Sequence, residues 1–191
     1  GPPLPIDGQL YVLAEVSGEI RLLILDAETG ELIWRQPLIH TEESSGTIVS
    51  NALRRVAGAS PSFSDGILVC PTTAGAVVAV DIATRSLLWG FEYEASTTRQ
   101  RGHAWHLSRT HIGRGQPGNR WSDASVSISD GKVLITPVES DFVYCLRLFD
   151  GQLLWKKERG KNLFVGCVHD DHVVLIGRHA VSALHLKDGQ P

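Results

Sequence analysis

Short apolar runs alternate with turn signals along the whole chain, and no long amphipathic stretch interrupts them. Residues 9–15, 19–26, 67–70, 76–81, 132–136, 142–148, 173–176 and 181–186 read as strands by length and by their content of β-branched and aromatic residues. Between them stand Asp7-Gly8, Val16-Ser17-Gly18, Ser64-Asp65-Gly66, Ala74-Gly75, Ser129-Asp130-Gly131 and Asp170-Asp171, the residues that tight hairpin turns favour. The central strands, such as Leu10-Tyr11-Val12-Leu13 and residues 20–25, are apolar on both faces apart from Arg21. A strand reads that way when something covers it from both sides.

The runs fall into a repeat. Leu25-Asp26-Ala27-Glu28-Thr29-Gly30-Glu31-Leu32-Ile33-Trp34 is a strand end, a Thr-Gly turn and a short strand closing on tryptophan. It returns as Asp81-Ile82-Ala83-Thr84-Arg85-Ser86-Leu87-Leu88-Trp89 and as Leu148-Phe149-Asp150-Gly151-Gln152-Leu153-Leu154-Trp155. A fourth copy is Leu186-Lys187-Asp188-Gly189-Gln190-Pro191. A fixed internal order repeated in this way sets the architecture before any local reading. It predicts an all-β β-propeller with four blades, at about 1–36, 60–93, 123–158 and 163–191, the fourth with three strands. Trp34, Trp89 and Trp155 are expected to be largely buried at equivalent places.

Two insertions, about 38–59 and 95–119, separate the first three repeats. Loops longer than about 12–15 residues in a compact domain are usually functional or disordered. The first holds Glu42 and Glu43 and a helical turn is expected near 52–56. The second holds Arg99, Arg101, His103, Trp105, His106, Arg109, His111 and Arg114 and no acidic residue. Both connect the last strand of one blade to the first strand of the next, so they should emerge side by side on one face of the disc. The basic segment is the candidate interaction loop.

Composition changes this picture little. The 191 residues are 42% hydrophobic and 20% charged with a net charge of −3, which gives no general reason to expect nucleic acid or an anionic membrane as partner. No apolar run approaches the roughly 18 residues of a membrane span. Cys70, Cys145 and Cys167 each lie in an apolar run and read as buried thiols, with one disulfide left open should the protein be exported.

The pattern Asp-Gly, apolar strand, Gly turn, Asp-ended strand, Thr-Gly, Leu-Leu-Trp resembles the pyrroloquinoline-quinone-like propeller repeat. That family includes the quinoprotein alcohol dehydrogenases and the propeller lipoprotein of the bacterial β-barrel assembly machinery. The residues that carry the resemblance are Asp26, Thr29, Gly30 and Trp34; Asp81, Thr84 and Trp89; Asp150, Gly151 and Trp155; and Asp188 with Gly189. Arg85 replaces the turn glycine of the second copy, and Arg147 and His185 replace its aspartate in the third and fourth. The resemblance implies that the tryptophans dock between neighbouring blades and that four repeats are half of an eight-bladed ring. It also implies a periplasmic or cell-envelope location.

The chemistry such a family can carry is not visible here. Methanol-dehydrogenase-like members have an adjacent cysteine pair, a calcium site and an aspartate base; no two cysteines are neighbours, and Asp123, Asp130 and Asp141 are scattered at turns. His103, His106 and His111 lack a framing Cys or Glu, and His169 and His172 flank a turn as solvated residues. Ser125, Ser127 and Ser129 have no His–Asp companion. The basic segment with Trp105 and Trp121 has the makings of a nucleic-acid grip, but the acidic overall balance favours a protein surface or Glu42 and Glu43. The expectation is therefore a non-enzymatic scaffold with no cofactor and no bound metal. Its partners are proteins, further blades of a longer chain, or a second copy forming a homodimer. The rival reading is a fragment of a quinoprotein dehydrogenase whose cofactor residues lie in other blades.

Overall fold

The computed structural model describes residues 1–41, 58–94 and 120–191. The two stretches outside it are those holding the predicted helical turn and the eight residues of the candidate interaction loop.

The described residues form four antiparallel meanders. Blade 1 is β1 (Leu4–Ile6), β2 (Gln9–Val16), β3 (Glu19–Asp26) and β4 (Leu32–His40). Blade 2 is β5 (Ser62–Ser64), β6 (Ile67–Pro71), β7 (Ala76–Asp81) and β8 (Ser86–Glu92). Blade 3 is β9 (Val126–Ser129), β10 (Lys132–Ile135), β11 (Phe142–Arg147) and β12 (Leu153–Glu158). Blade 4 has three strands, β13 (Asn162–His169), β14 (His172–Gly177) and β15 (Val181–His185). Strand β4 runs to His40, past the expected end at residue 36, because Ile39 and His40 continue its pairing with Ile20 and Glu19.

The turns form as their residues dictate. Asp7-Gly8, Ser17-Gly18, Asp65-Gly66, Asp130-Gly131 and Asp170-Asp171 each place two consecutive residues at positive φ, the two-residue hairpin geometry that matches strand twist. The turn between third and fourth strands is built around an aspartate. Asp26 Oδ1 accepts from the Glu28 N–H, the Thr29 N–H at 2.8 Å and the Thr29 hydroxyl. Asp81 does the same for Thr84. Where Arg147 stands instead, Asp150 takes over, pairing with Arg147 at 2.9 Å and accepting from the Gln152 N–H.

A bulge recurs at one place in blades 1 to 3. Ile24 pairs with Trp34 and Leu25 with Leu32, so Ile33 is the extra residue; Leu88 and Leu154 are its equivalents. A bulge bends the strand and re-aims the next side chain. It explains the three consecutive apolar residues of Leu-Ile-Trp and Leu-Leu-Trp: the extra residue faces outward and the tryptophan turns toward the following blade.

The core lies between blades. Tyr11, Leu22 and Ile24 of blade 1 pack with Leu68, Cys70 and Val80 of blade 2. Val69, Val77 and Ala79 of blade 2 pack with Val133, Tyr144 and Leu146 of blade 3. Leu134, Val143 and Cys145 of blade 3 pack with Val173, Leu175 and Leu186 of blade 4. Alternate residues of each central strand thus look forward and backward along the array.

The tryptophans lock these junctions. Trp89 donates its indole N–H to Leu148 O at 2.8 Å, and Trp155 donates to Leu186 O at 3.0 Å. Each ring lies on the turn glycine of the next blade: a Cβ on Gly151 would stand 2.6 Å from the Trp89 ring, and one on Gly189 2.7 Å from that of Trp155. In the first junction Arg85 fills the glycine position at positive φ, and its guanidinium carbon lies 6.0 Å from the Trp34 ring centroid, at the outer reach of a cation–π contact. Of the three, Trp155 is buried while Trp34 and Trp89 are half-buried.

Gly30, like Gly151, has a positive φ, but among the described residues no atom lies within 4 Å of a Cβ placed there. Gly30→Ala should therefore cost only the left-handed backbone term, about 1–2 kcal/mol. Gly151→Ala should cost that plus about 1–3 kcal/mol of overpacking against Trp89. Urea unfolding of the two variants tests the docking; equal losses would show that the ring does not press on the turn.

The turn carboxylates also make stability pH-dependent. Hydrogen bonds from the Thr29 N–H, the Thr29 hydroxyl and the Glu28 N–H hold the Asp26 carboxyl below its ordinary range, and those from the Thr84 N–H and hydroxyl do so for Asp81. A depressed folded-state pKa adds stability above the unfolded value of about 3.9 and loses it as pH falls through the folded one. The urea midpoint should fall on acidification below about pH 4, and less steeply in the Asp26→Ala, Asp81→Ala double variant.

Candidate functional site

The first-to-second and third-to-fourth strand turns lie on one side of the disc; the second-to-third turns and the ends of the two insertions lie on the other. That second side carries the buried polar groups. Thr72 and Thr73 are buried in the β6–β7 turn, with the Thr72 hydroxyl donating to Ala76 O at 2.6 Å and that of Thr73 to Thr72 O at 2.7 Å. In blade 3 Thr136 and Ser140 are buried, and Ser140 Oγ lies 2.8 Å from the Tyr144 hydroxyl.

Between blades 2 and 3 the Tyr93 hydroxyl donates to Glu139 Oε1 at 3.0 Å. Burial pushes the Tyr93 hydroxyl well above its usual range, although the residue as a whole is only half-buried, and the Glu139 charge adds to the shift. Tyr93 therefore stays protonated and acts as a donor, not a base. Glu139 Oε2 is buried without a hydrogen-bond partner among the described residues. Phe91, Tyr93 and Phe142 surround Tyr144 with centroids 5.7–6.1 Å away, and the Lys156 ammonium sits 4.9 Å over the Phe142 ring while pairing with Glu94 at 3.0 Å. The arrangement is a polar, aromatic-lined floor beside the point where the basic insertion leaves the sheet after Glu94.

The repeat residues named from sequence, Asp26, Gly30, Trp34, Asp81, Trp89, Gly151, Trp155 and Gly189, all lie at turns or blade junctions. Arg99, Arg101, His103, Trp105, His106, Arg109, His111 and Arg114 lie outside the described residues. Trp121 is a correction: it is 3% exposed, its indole N–H donates to Phe142 O at 3.1 Å, and it belongs to the core between blades 3 and 4. It offers no surface for stacking a base. Its place just before the apolar Ala124 and Val126 of the third repeat was the signal for a core residue.

Cys167 is a second correction. Cys70 and Cys145 are buried, but Cys167 is exposed. Register shifts on either side of Val165 in β13 change the alternation, so Val168 faces blade 3 and Cys167 faces away from it. All three thiols are free.

The strand register also aligns histidines that spacing did not connect. His169 pairs with His172, and His172 with His185, in one row across blade 4. The His172 and His185 rings lie 4.4 Å apart, His172 Nδ1 is 2.7 Å from Asp170 O, and His169 is 3.3 Å from the Asp170 carboxylate. Among the described residues no three His, Cys, Asp or Glu side chains converge as metal ligands.

Four meander blades packed face to face, with a tryptophan of one seated on the turn of the next, define a β-propeller of the pyrroloquinoline-quinone-like class. Residues 1–111 match the family model of the outer membrane protein assembly factor BamB, and the chain belongs to that family. No curated protein matches it. Its fold is similar to the crystal structure of BamB from Moraxella catarrhalis, with 15% identity, a TM-score of 0.63, and coverage of 97% of this chain and 47% of that one. The computationally designed Ika4 protein is similar at 13% identity and a TM-score of 0.57, covering 96% and 89%. A quinohemoprotein alcohol dehydrogenase, ADHIIG from Pseudomonas putida HK5, is similar at 13% identity and a TM-score of 0.54, covering 98% and 33%. The chain thus spans about half the length of the BamB structure it matches.

Burial raises the thiols of Cys70 and Cys145, the latter to about 12, so neither is a thiolate at neutral pH. In native protein neither should react with an aromatic disulfide reagent, while both should react in urea. Rapid native labelling of Cys145 would contradict the packing of blade 4 on blade 3.

Proposed function

We propose that the chain is part of a non-catalytic propeller scaffold of the bacterial cell envelope that holds protein partners, with the basic segment 95–119 as its contact loop. Membership of the family of an outer membrane protein assembly factor carries this reading. The local chemistry agrees with it. The aspartates of the described repeats are engaged by their own turns, Tyr93 is held as a donor, and the tryptophans of the repeat are engaged by neighbouring blades. The basic segment leaves the sheet after Glu94, beside the half-satisfied Glu139 carboxylate, on the side of the disc from which both insertions arise. Such a contact does not need every basic or aromatic side chain of the segment; a few Arg or Trp residues commonly dominate a protein interface.

The alternative is a quinoprotein dehydrogenase fragment, for which the similarity to the alcohol dehydrogenase speaks at the level of fold alone. Two measurements separate the readings. A tagged chain incubated with detergent-solubilised bacterial outer membrane should retain a discrete protein partner, and removal of residues 95–119 should abolish retention without lowering the unfolding midpoint. The same chain mixed with pyrroloquinoline quinone and calcium should keep no quinone absorbance after desalting. Stoichiometric quinone retention together with dye-linked alcohol oxidation would overturn the scaffold reading.

A further inference from the structure

The histidine row of blade 4 has a counterpart in every other blade. Where the second strand begins and the third ends, Gln9 faces Asp26 in blade 1, Ile67 faces Asp81 in blade 2, and Lys132 faces Arg147 in blade 3. In blade 4 His172 faces His185. Spacing alone reads His172 as a solvated turn residue; the register brings a second imidazole beside it.

The two histidines form the close kind of cross-strand pair. The Leu186 N–H donates to Asp171 O, and the His185 N–H donates to Gln190 O on the other side of the strand, both at 2.7 Å. His172 and His185 are therefore a non-hydrogen-bonded pair, in which Cα atoms lie about 4.5 Å apart and side chains approach most closely. Their ring centroids are 4.4 Å apart. His172 Nδ1 lies 2.7 Å from Asp170 O, an atom that can only accept, so Nδ1 carries the hydrogen. The lone pair of the neutral ring is then on Nε2.

Access to the pair does not depend on what stands behind blade 4. In blade 3, with blade 4 packed against it, Lys132 holds the position of His172. Its ammonium folds back over its own hairpin to Asp130 O at 3.2 Å and the Asp130 carboxylate at 2.7 Å, as the His172 ring folds back to Asp170 O. Arg147, at the position of His185, has a side chain 48% exposed. The apolar Ile67 is buried at the same place. Polar side chains of this row thus reach the disc surface inside the array as well.

We propose that His172 and His185 chelate a first-row divalent transition ion, such as Zn²⁺ or Cu²⁺, with water completing its coordination. Neutral imidazoles suit these ions, whereas Mg²⁺ and Ca²⁺ take clusters of oxygen ligands. A backbone carbonyl behind the ligating ring, as Asp170 O stands behind His172, is the partner that orients such a histidine. Metal–nitrogen bonds of about 2.0–2.1 Å place the two nitrogens about 3.3 Å apart in a tetrahedral site, a separation that rotation of the facing rings supplies. Asp170, Asp171 and Asp188 at the two adjoining turns outnumber Lys187 and favour a cation there. Among the described residues no third side chain converges, so the site is an open chelate and not a closed structural zinc site. The bound ion ties β14 to β15 at the end of the sheet.

Metal uptake by this pair is independent of the scaffold reading, because it is measured without any protein partner. The test is calorimetric titration of the untagged chain with ZnCl₂, together with the electron paramagnetic resonance spectrum after one equivalent of CuSO₄. Both are run in a background carrying Cys167→Ser, His103→Ala, His106→Ala and His111→Ala, which removes the exposed thiol and the other histidine cluster. The background should bind one zinc ion per chain, show copper coupled to two imidazole nitrogens, and give no heat with MgCl₂ or CaCl₂. His172→Gln and His185→Gln should each weaken zinc binding at least about tenfold, since even the partner behind a metal ligand is worth about 10–100-fold. Each should also reduce the copper coupling to one nitrogen. An unchanged circular dichroism spectrum and urea midpoint in metal-free buffer certify the fold, and the exposed His185 keeps the test decisive if His172→Gln misfolds. A background that takes up no zinc at high micromolar concentration overturns the inference. So does binding that survives His185→Gln, or copper coupled to a single nitrogen before either substitution.

Discussion

Every blade of this protein depends on its neighbours, because a four-stranded meander with two apolar faces cannot cover either one itself. The buried side chains confirm it: each of the three core clusters takes residues from two successive blades, and none is confined to one. Burial of apolar area contributes roughly 25 cal/mol per Å², so the stability of the array resides at its junctions. Strands such as residues 20–25 have lost the polar alternation of a half-solvated sheet for the same reason.

The turn, the bulge and the tryptophan are consequences of that demand. Packing two sheets face to face leaves their relative position loosely determined. The indole supplies a directional contact, an N–H donated to a carbonyl of the next blade and a flat ring laid on its turn. For the ring to reach, the fourth strand must be re-aimed, which the bulged residues Ile33, Leu88 and Leu154 accomplish. For the turn to accept it, the residue beneath must have no Cβ, and so Gly151 and Gly189 stand there. Arg85 shows what happens otherwise. Trp34 then meets a guanidinium, and directionality passes from shape to a cation–π contact near its distance limit.

Much of this could be read from the residues alone, because turn chemistry and a repeated tryptophan are local signals. The blade number and the Asp-Gly hairpins follow from pattern and spacing, and the junction role of Trp89 and Trp155 from the family resemblance. What could not be read depends on pairing register. Cys167 and Val168 change sides because of irregularities in β13 that no periodicity announces. His169, His172 and His185 form a row only once three strands are aligned, although His185 is distant from the other two in the chain. Trp121 was drawn toward function by the basic residues before it, while its side chain belongs to the core after it. The Tyr93–Glu139 pair was invisible because its members come from different blades.

The same separation of local and non-local signals bears on function. In a propeller the strands and their turns are constrained by packing at every junction, so the residues that repeat are those least free to acquire a partner-specific role. Asp26, Asp81, Trp89 and Trp155 are committed to contacts within the array. Variation is tolerated where the chain leaves the sheets, and loops on a rigid scaffold are where binding residues concentrate. The two insertions are the segments of this sequence that break the repeat, and they leave the sheets on the side of the disc that carries the buried threonines and Glu139. A basic segment that begins after Glu94 and ends ahead of the buried Trp121 is flanked on both sides by residues held in the blades. Recognition by this fold is therefore expected to reside in what does not repeat.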